Sequence, residues 1–165
     1  GDMRFLKGVD VLVNALARVN SKRRTTANLV GDGPDLAHFQ KQVQSLGLTE
    51  MVKFQGRMAT AEALKSGHVL VMPSRAESFP YVILEAAAGQ VPMIASDVGG
   101  ISEILPPQHL CPPDNAEALA RHIEMALSIP DAIKEDARAL SDKIRSAFSA
   151  ADMARKITGF YQQLS

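Results

Sequence analysis

The 165-residue chain lacks most of what would commit it to a metal, a membrane or a nucleic acid. Its single cysteine, Cys111, has no CxxC partner, which excludes an internal disulfide and agrees with a reducing compartment. Eighteen Lys and Arg residues balance 18 Asp and Glu, so the basic excess that phosphate neutralisation calls for is missing and nucleic acid is not an expected partner. The four histidines, His38, His68, His109 and His122, fall at no ligand spacing, and there is no Asp-x-Asp, so no metal is expected. No apolar run approaches the roughly 20 residues of a membrane span and no signal-peptide pattern opens the chain, so a cytoplasmic setting is expected. Internal repeats, low-complexity tracts and linkers are also lacking. What remains, with 46% hydrophobic and 22% charged residues, is an ordinary globular composition in a length suited to one domain.

The most informative stretch runs from Pro73 to Ala88. Ahead of it, His68-Val69-Leu70-Val71-Met72 is a short apolar run closed by Pro73, which reads as an interior strand of a parallel sheet. The polar turn that follows sits at that strand's carboxyl end. Ser78 suits an N-cap and Pro80 a first helical turn, so a helix is expected from about Pro80 to Ala88, stopping at Gly89. At about 100° per residue, Tyr81, Glu85 and Ala88 share one face of it, opposite Val82, Ile83, Ala86 and Ala87. Glu85 is then a carboxylate on an almost wholly apolar helix. It is either an ordinary exposed or backbone-bonded side chain, or a cleft carboxylate that accepts hydrogen bonds from ligand hydroxyls. Glu77, eight positions earlier, can face the same cleft from its other wall.

Elsewhere, Val9, Leu12, Val13, Leu16 and Ala17 follow the spacing of an amphipathic helix ending near Asn20. Lys7 lies just before it. A cation beside the positive end of a helix dipole is unfavourable unless an anion lies between them, so Lys7 is a phosphate clamp or a flexible surface lysine. Thr25 to Val30 reads as a strand ending at Gly31-Asp32-Gly33-Pro34, followed by a helix from Pro34 to Leu46 that buries Leu36, Phe39, Val43 and Leu46. Gly31 and Gly33 would let a ligand approach the backbone, although Gly-Asp-Gly also makes an ordinary strand-to-helix turn. Met51 to Phe54 is a strand running into Gly56-Arg57-Met58, and Ala61 to Ser66 a short helix. Val91 to Ala95 is a strand delivering Gly99-Gly100 to another helix start at Ile101. His109 to Cys111 is extended. Helices are expected from Asp114 or Asn115 to Ser128, from Pro130 to about Phe148, and from about Ala150 to Leu164.

Strands alternating with helices imply an α/β fold with a doubly wound, Rossmann-like parallel sheet flanked by helices, whose ligands bind outside the carboxyl ends of the strands. Gly31-Asp32-Gly33, Glu77 and Gly99-Gly100 all stand at such ends. Together they offer backbone amides, a lysine and carboxylates, an inventory for a phosphorylated ligand that also has hydroxyls.

Five segments in order resemble one family. They are Lys7-Gly8-Val9-Asp10-Val11-Leu12, Gly31-Asp32-Gly33-Pro34, Val52-Lys53-Phe54-Gln55-Gly56, the glutamates Glu77 and Glu85 separated by seven residues, and Gly99-Gly100-Ile101-Ser102-Glu103. The resemblance is to the C-terminal, donor-binding domain of retaining GT-B glycosyltransferases of group 1 (family 4), and it covers nearly the whole chain. It implies one nucleotide-sugar-binding domain over residues 1–165, excised from a two-domain enzyme that transfers a sugar from a nucleotide-diphosphate donor with retention, in glycan, polysaccharide or glycolipid synthesis. The missing N-terminal domain would bind the acceptor, and the parent enzyme could associate peripherally with a membrane. No cofactor is implied beyond the substrate. Carried over by position, Lys7 holds the diphosphate, Glu85 the ribose, and the backbone near Arg57 and Met58 the base. Gly31 and Gly33 line the donor site. Glu77, the catalytic candidate, contacts the donor sugar and its phosphate with the amides of Ser78, Phe79 and Tyr81, and Pro80 stands among these donor-binding residues. Two departures stand out: Asp2 occupies a position where the family usually has Arg, with Arg4 nearby as a substitute, and Pro80 replaces a Gly and removes an amide donor. A nucleotide-sugar-binding module without catalysis, or another GT-B enzyme such as a nucleotide-sugar epimerase, would carry much the same pattern.

Overall fold

The computed structural model describes residues 2–78 and 81–147; Phe79, Pro80 and the helix expected over 150–164 lie outside them. A 3-10 turn at Phe5–Lys7 leads into helix α1 (Val9–Asn20), followed by β1 (Ala27–Val30), α2 (Leu36–Ser45), β2 (Val52–Gly56), α3 (Thr60–Lys65) and β3 (Leu70–Met72). Helix α4 (Tyr81–Ala88), β4 (Met93–Ser96), a 3-10 segment (Gly99–Glu103), β5 (Leu110–Cys111), α5 (Ala116–Ser128) and α6 (Pro130–Ala147) complete the described chain.

All strand pairing is parallel, as the alternation of strands and helices requires. The strands divide into two sheets: β1 pairs with β2, opening with Ala27 opposite Val52, and β4 lies between β3 and β5, with Val71 opposite Ile94 and Ser96 opposite Cys111. Where one continuous sheet was expected, β1 and β3 face each other across a cavity of about 680 Å³. β3 supplies only three residues and pairs them with β4.

Apolar periodicity decides the layers. Helix α1 packs on α2 and α5, and its Val13, Leu16 and Val19 meet Phe39, Val43, Leu119 and Ile123 in one core. A second core joins Ile83, Ala86 and Ala87 of α4 to Met93, Ala95, Ile101 and Leu140. Ile83 and Phe39 are fully buried, each stabilising the fold by about 1.5–3 kcal/mol through removal from water. Two expectations need correction. Leu46 is 41% exposed, because α2 ends at Ser45 and Leu46 turns out of the helix. The segment after Gly99-Gly100 is a 3-10 turn reaching Glu103 rather than the start of an α-helix at Ile101. The cap of α5 resolves to Asn115, whose Oδ1 accepts from the Ala118 amide at 2.8 Å.

Candidate functional site

Three segments far apart in the chain meet where β3 ends, and two glycines set how closely. Gly8 adopts the left-handed conformation (φ +65°), and a Cβ placed on it would stand 1.9 Å from the Pro73 carbonyl oxygen. The start of α1 is thereby pressed against the turn that follows β3. On the other side Gly99 (φ +56°) packs so closely that a Cβ would lie 2.0 Å from the Glu77 carbonyl oxygen. Only a residue without a side chain satisfies both the backbone angle and the contact at these positions.

Between these two contacts the side chains of Lys7 and Glu77 meet, with Lys7 Nζ donating to Glu77 Oε1 at 2.6 Å. The hydroxyl of Ser74, itself buried, donates to the same oxygen at 2.7 Å. Two donors therefore converge on Oε1 of a carboxylate whose side chain is only 10% exposed. The anion that Lys7 needs beside the α1 terminus is thus supplied by the chain itself.

Arg75 was not singled out in the sequence, yet it holds this arrangement together. Its Nη1 and Nη2 donate to the two carboxylate oxygens of Asp10 at 2.8 and 2.7 Å, and its Nε pairs with Asp114 Oδ1 at 2.6 Å. Nη1 also donates to the Phe5 carbonyl, and the Arg75 amide donates to the Leu6 carbonyl at 2.8 Å. Burial alone would raise the Asp10 carboxyl, but the hydrogen bonds and charge of Arg75, with the amides of Asp10 and Val11, outweigh it and hold the group below its ordinary value. The hydrogen bond to Asp10 in turn raises Arg75 further. The signal in the sequence was an aspartate one residue inside an apolar helix start, although nothing there named its partner.

The second turn lies beside the first segment. Met3 donates its amide to the Asp32 carbonyl at 2.9 Å, and the Asp35 amide donates to the Met3 carbonyl at 3.1 Å. A Cβ on Gly33 would stand 2.6 Å from Met3 backbone atoms, so the space left by this glycine is filled by residues 2 and 3 of the same chain rather than left open to a ligand. Gly31 donates its amide to the Gly56 carbonyl at 2.7 Å. Arg57, highly exposed, leans toward Asp32 at 3.8 Å, while Met58 lines the cavity beside β3. Arg4, the substitute considered for the departure at Asp2, has its Nε 2.6 Å from Asp2 Oδ2.

Helix α4 presents the expected face outward: Tyr81, Glu85 and Ala88 are exposed and Ile83, Ala86 and Ala87 are buried. The Glu85 carboxylate has no hydrogen-bond or ion-pair partner among the described residues. Ser78 is exposed. Among the described residues no group of three or more His, Cys, Asp or Glu could hold a metal ion.

This geometry, a cation and a carboxylate at the carboxyl end of a parallel strand with glycine-tight turns around them, can be set beside known proteins. The family described as Glycosyl transferases group 1 matches residues 1–128, and the chain belongs to that family. Over 105 residues it is 35% identical to an N-acetyl-alpha-D-glucosaminyl L-malate synthase of Bacillus anthracis, covering 63% of this chain and 28% of that protein. It is 28% identical over 168 residues to a glycogen synthase of Mycobacterium tuberculosis, covering 98% of this chain and 41% of the relative. In three dimensions it superposes on Anabaena HepE, solved in complex with UDP, with a TM-score of 0.88 at 24% identity, covering 99% of this chain and 47% of that one. The chain therefore has the fold of a GT-B glycosyltransferase domain and spans less than half the length of these proteins.

Proposed function

We propose that this chain binds the nucleotide-diphosphate-sugar donor of a glycosyltransferase that transfers the sugar with retention. The observation that carries the reading is the convergence of Lys7, Glu77 and Gly99 at the end of β3. Lys7 is the cation for the diphosphate, whose charge grows as the sugar departs, and a preorganised cation stabilises that charge without a metal. Glu77 and the amides after it face the sugar, Glu85 the ribose, and the backbone at Arg57 and Met58 the base. In this reading the acceptor is bound by a domain outside the chain, and the parent enzyme works in the cytoplasm or at a membrane surface. Two structures of HepE hold UDP, one of them with glucose, which supports a nucleotide-sugar donor.

Titration of the chain with UDP, GDP and ADP, followed by amide NMR, tests the reading. Saturable shifts are expected near Lys7, Gly31, Arg57 and Glu85. Shifts confined to α5 and α6 would remove the assignment. A second reading, a nucleotide-sugar-binding module without catalysis, is favoured by the Arg4–Asp2 pair, which occupies a guanidinium otherwise open to phosphate. Nucleotide release by the full-length parent from a panel of donors separates the two.

A further inference from the structure

We infer that Arg75 is a positioning residue for the donor site, locking the Lys7 turn and the Glu77 turn into one rigid unit. The inference rests on the donor-site reading above, although the linkage between the two turns can be measured without a donor.

The guanidinium donates two hydrogens from Nη1 and one from Nη2, and its Nε forms an ion pair with Asp114 at 2.6 Å. Every one is spent inside the chain. Two go to Asp10, in the first turn of α1, and one to the Phe5 carbonyl, so the guanidinium grips the segment carrying Lys7 from both sides of that residue. The ion pair reaches Asp114, which adopts the left-handed conformation (φ +55°) immediately before the cap of α5. From its own backbone Arg75 adds the amide bond to Leu6, and in sequence it stands between Ser74 and Glu77. A residue two positions from Glu77 thus holds the residues on either side of Lys7. The fork geometry matters, because lysine has one point donor group and cannot bridge Asp10 in two directions while reaching Asp114 and Phe5. With all its accounted donors turned inward, Arg75 acts through Lys7 and Glu77.

The test uses the 165-residue chain with Arg75→Lys, which keeps the charge and loses the fork, and Arg75→Met, which loses both. Amide hydrogen exchange reads the linkage directly. In Arg75→Lys the amides of Lys7 and Gly8 and those of residues 75–78 should exchange about tenfold faster, while the interior of α1 keeps its protection. Unchanged exchange in both turns overturns the inference, as does loosening of the whole of α1. Should Arg75→Met fail to fold, the Lys variant alone decides. In the second arm, the affinity for whichever of UDP, GDP and ADP the unaltered chain binds should fall at least threefold in Arg75→Lys, and the same change made on top of Lys7→Ala should cost less than about half as much on a logarithmic scale. Equal losses in both backgrounds mean that Arg75 does not act through Lys7. If the unaltered chain binds none of the three, the donor reading has failed, and the exchange arm still decides whether Arg75 couples the turns.

Discussion

Lys7 Nζ and Glu77 Oε1 lie 2.6 Å apart, so the cation and the carboxylate read as facing the two ends of a sugar diphosphate are partners of each other across 70 residues of sequence. A diphosphate at Lys7 must compete with Glu77 or share the cation with it.

Replacing Glu77 by Gln removes the competing charge and leaves Lys7 to the diphosphate. Affinity for free UDP, measured by calorimetric titration, should rise about threefold, the effect of roughly 0.7 kcal/mol. In the full-length parent the same variant should lower kcat more than it raises KM, because contacts to the transferred sugar strengthen as charge redistributes. A fall in UDP affinity would mean that Lys7 meets the diphosphate only with the help of Glu77.

Glu85 stands on the exposed face of α4 and carries none of its packing. Glu85→Gln should therefore leave the melting temperature within a degree or so, while raising the donor KM in the parent about tenfold, equivalent to roughly 1.4 kcal/mol of ribose binding. A lowered melting temperature with unchanged KM would make it a structural carboxylate.

The glycine contacts give a comparison with an internal control. Gly47 has φ +67° and nothing within 4 Å of the place where a methyl group would stand, so Gly47→Ala bears only the left-handed strain, about 1 kcal/mol. Gly8→Ala bears the same strain and must also displace the Pro73 carbonyl, so its loss in denaturant unfolding should exceed that of Gly47→Ala by at least about 2 kcal/mol. Equal losses would show that α1 and the turn after β3 are not pressed together.

Asp10 supplies a pH dependence with a defined sign. Its folded value lies below the ordinary 3.8, so below neutrality the unfolded chain takes up the proton first. The stabilisation is fully present above 3.8 and is lost as pH falls through the lower folded value. Asp10→Asn should cost about 1–2 kcal/mol at pH 7, and the gap between variant and unaltered chain should narrow as pH drops below 3.8.

Donor binding should survive EDTA, since the proposed site relies on Lys7 and backbone amides. Loss of UDP binding on chelation, restored by a divalent cation, would contradict the proposed way of stabilising the leaving group.

Local chemistry was legible and distant pairing was not. Period 3.6 placed α1 and the two faces of α4, and a cap at Asp114 or Asn115 marked the start of α5, because these depend on neighbours within a turn or two. The meeting of Lys7 with Glu77 joins residues 70 apart, and that of Arg75 with Asp10 joins residues 65 apart, at distances over which no periodicity speaks. The division of the strands into two sheets was hidden for the same reason: each strand's apolar content says that it is buried without saying beside which neighbour. Gly33 misled in a subtler way. Its smallness was visible, but whether a ligand or Met3 fills the space depends on a segment some 30 residues away.

The seat of Glu77 is closed by Gly99, while Lys7 stands far earlier in the sequence. During synthesis at about 5–20 residues per second, the ribosome therefore delivers the lysine roughly 5–18 s before the glycine that completes the carboxylate's surroundings. Through that interval Lys7 lacks the closed carboxylate surroundings that Gly99 completes. A pause in translation anywhere between Lys7 and Gly99 would lengthen that interval, so the rate of synthesis over this stretch sets how long the carboxylate's surroundings stay incomplete.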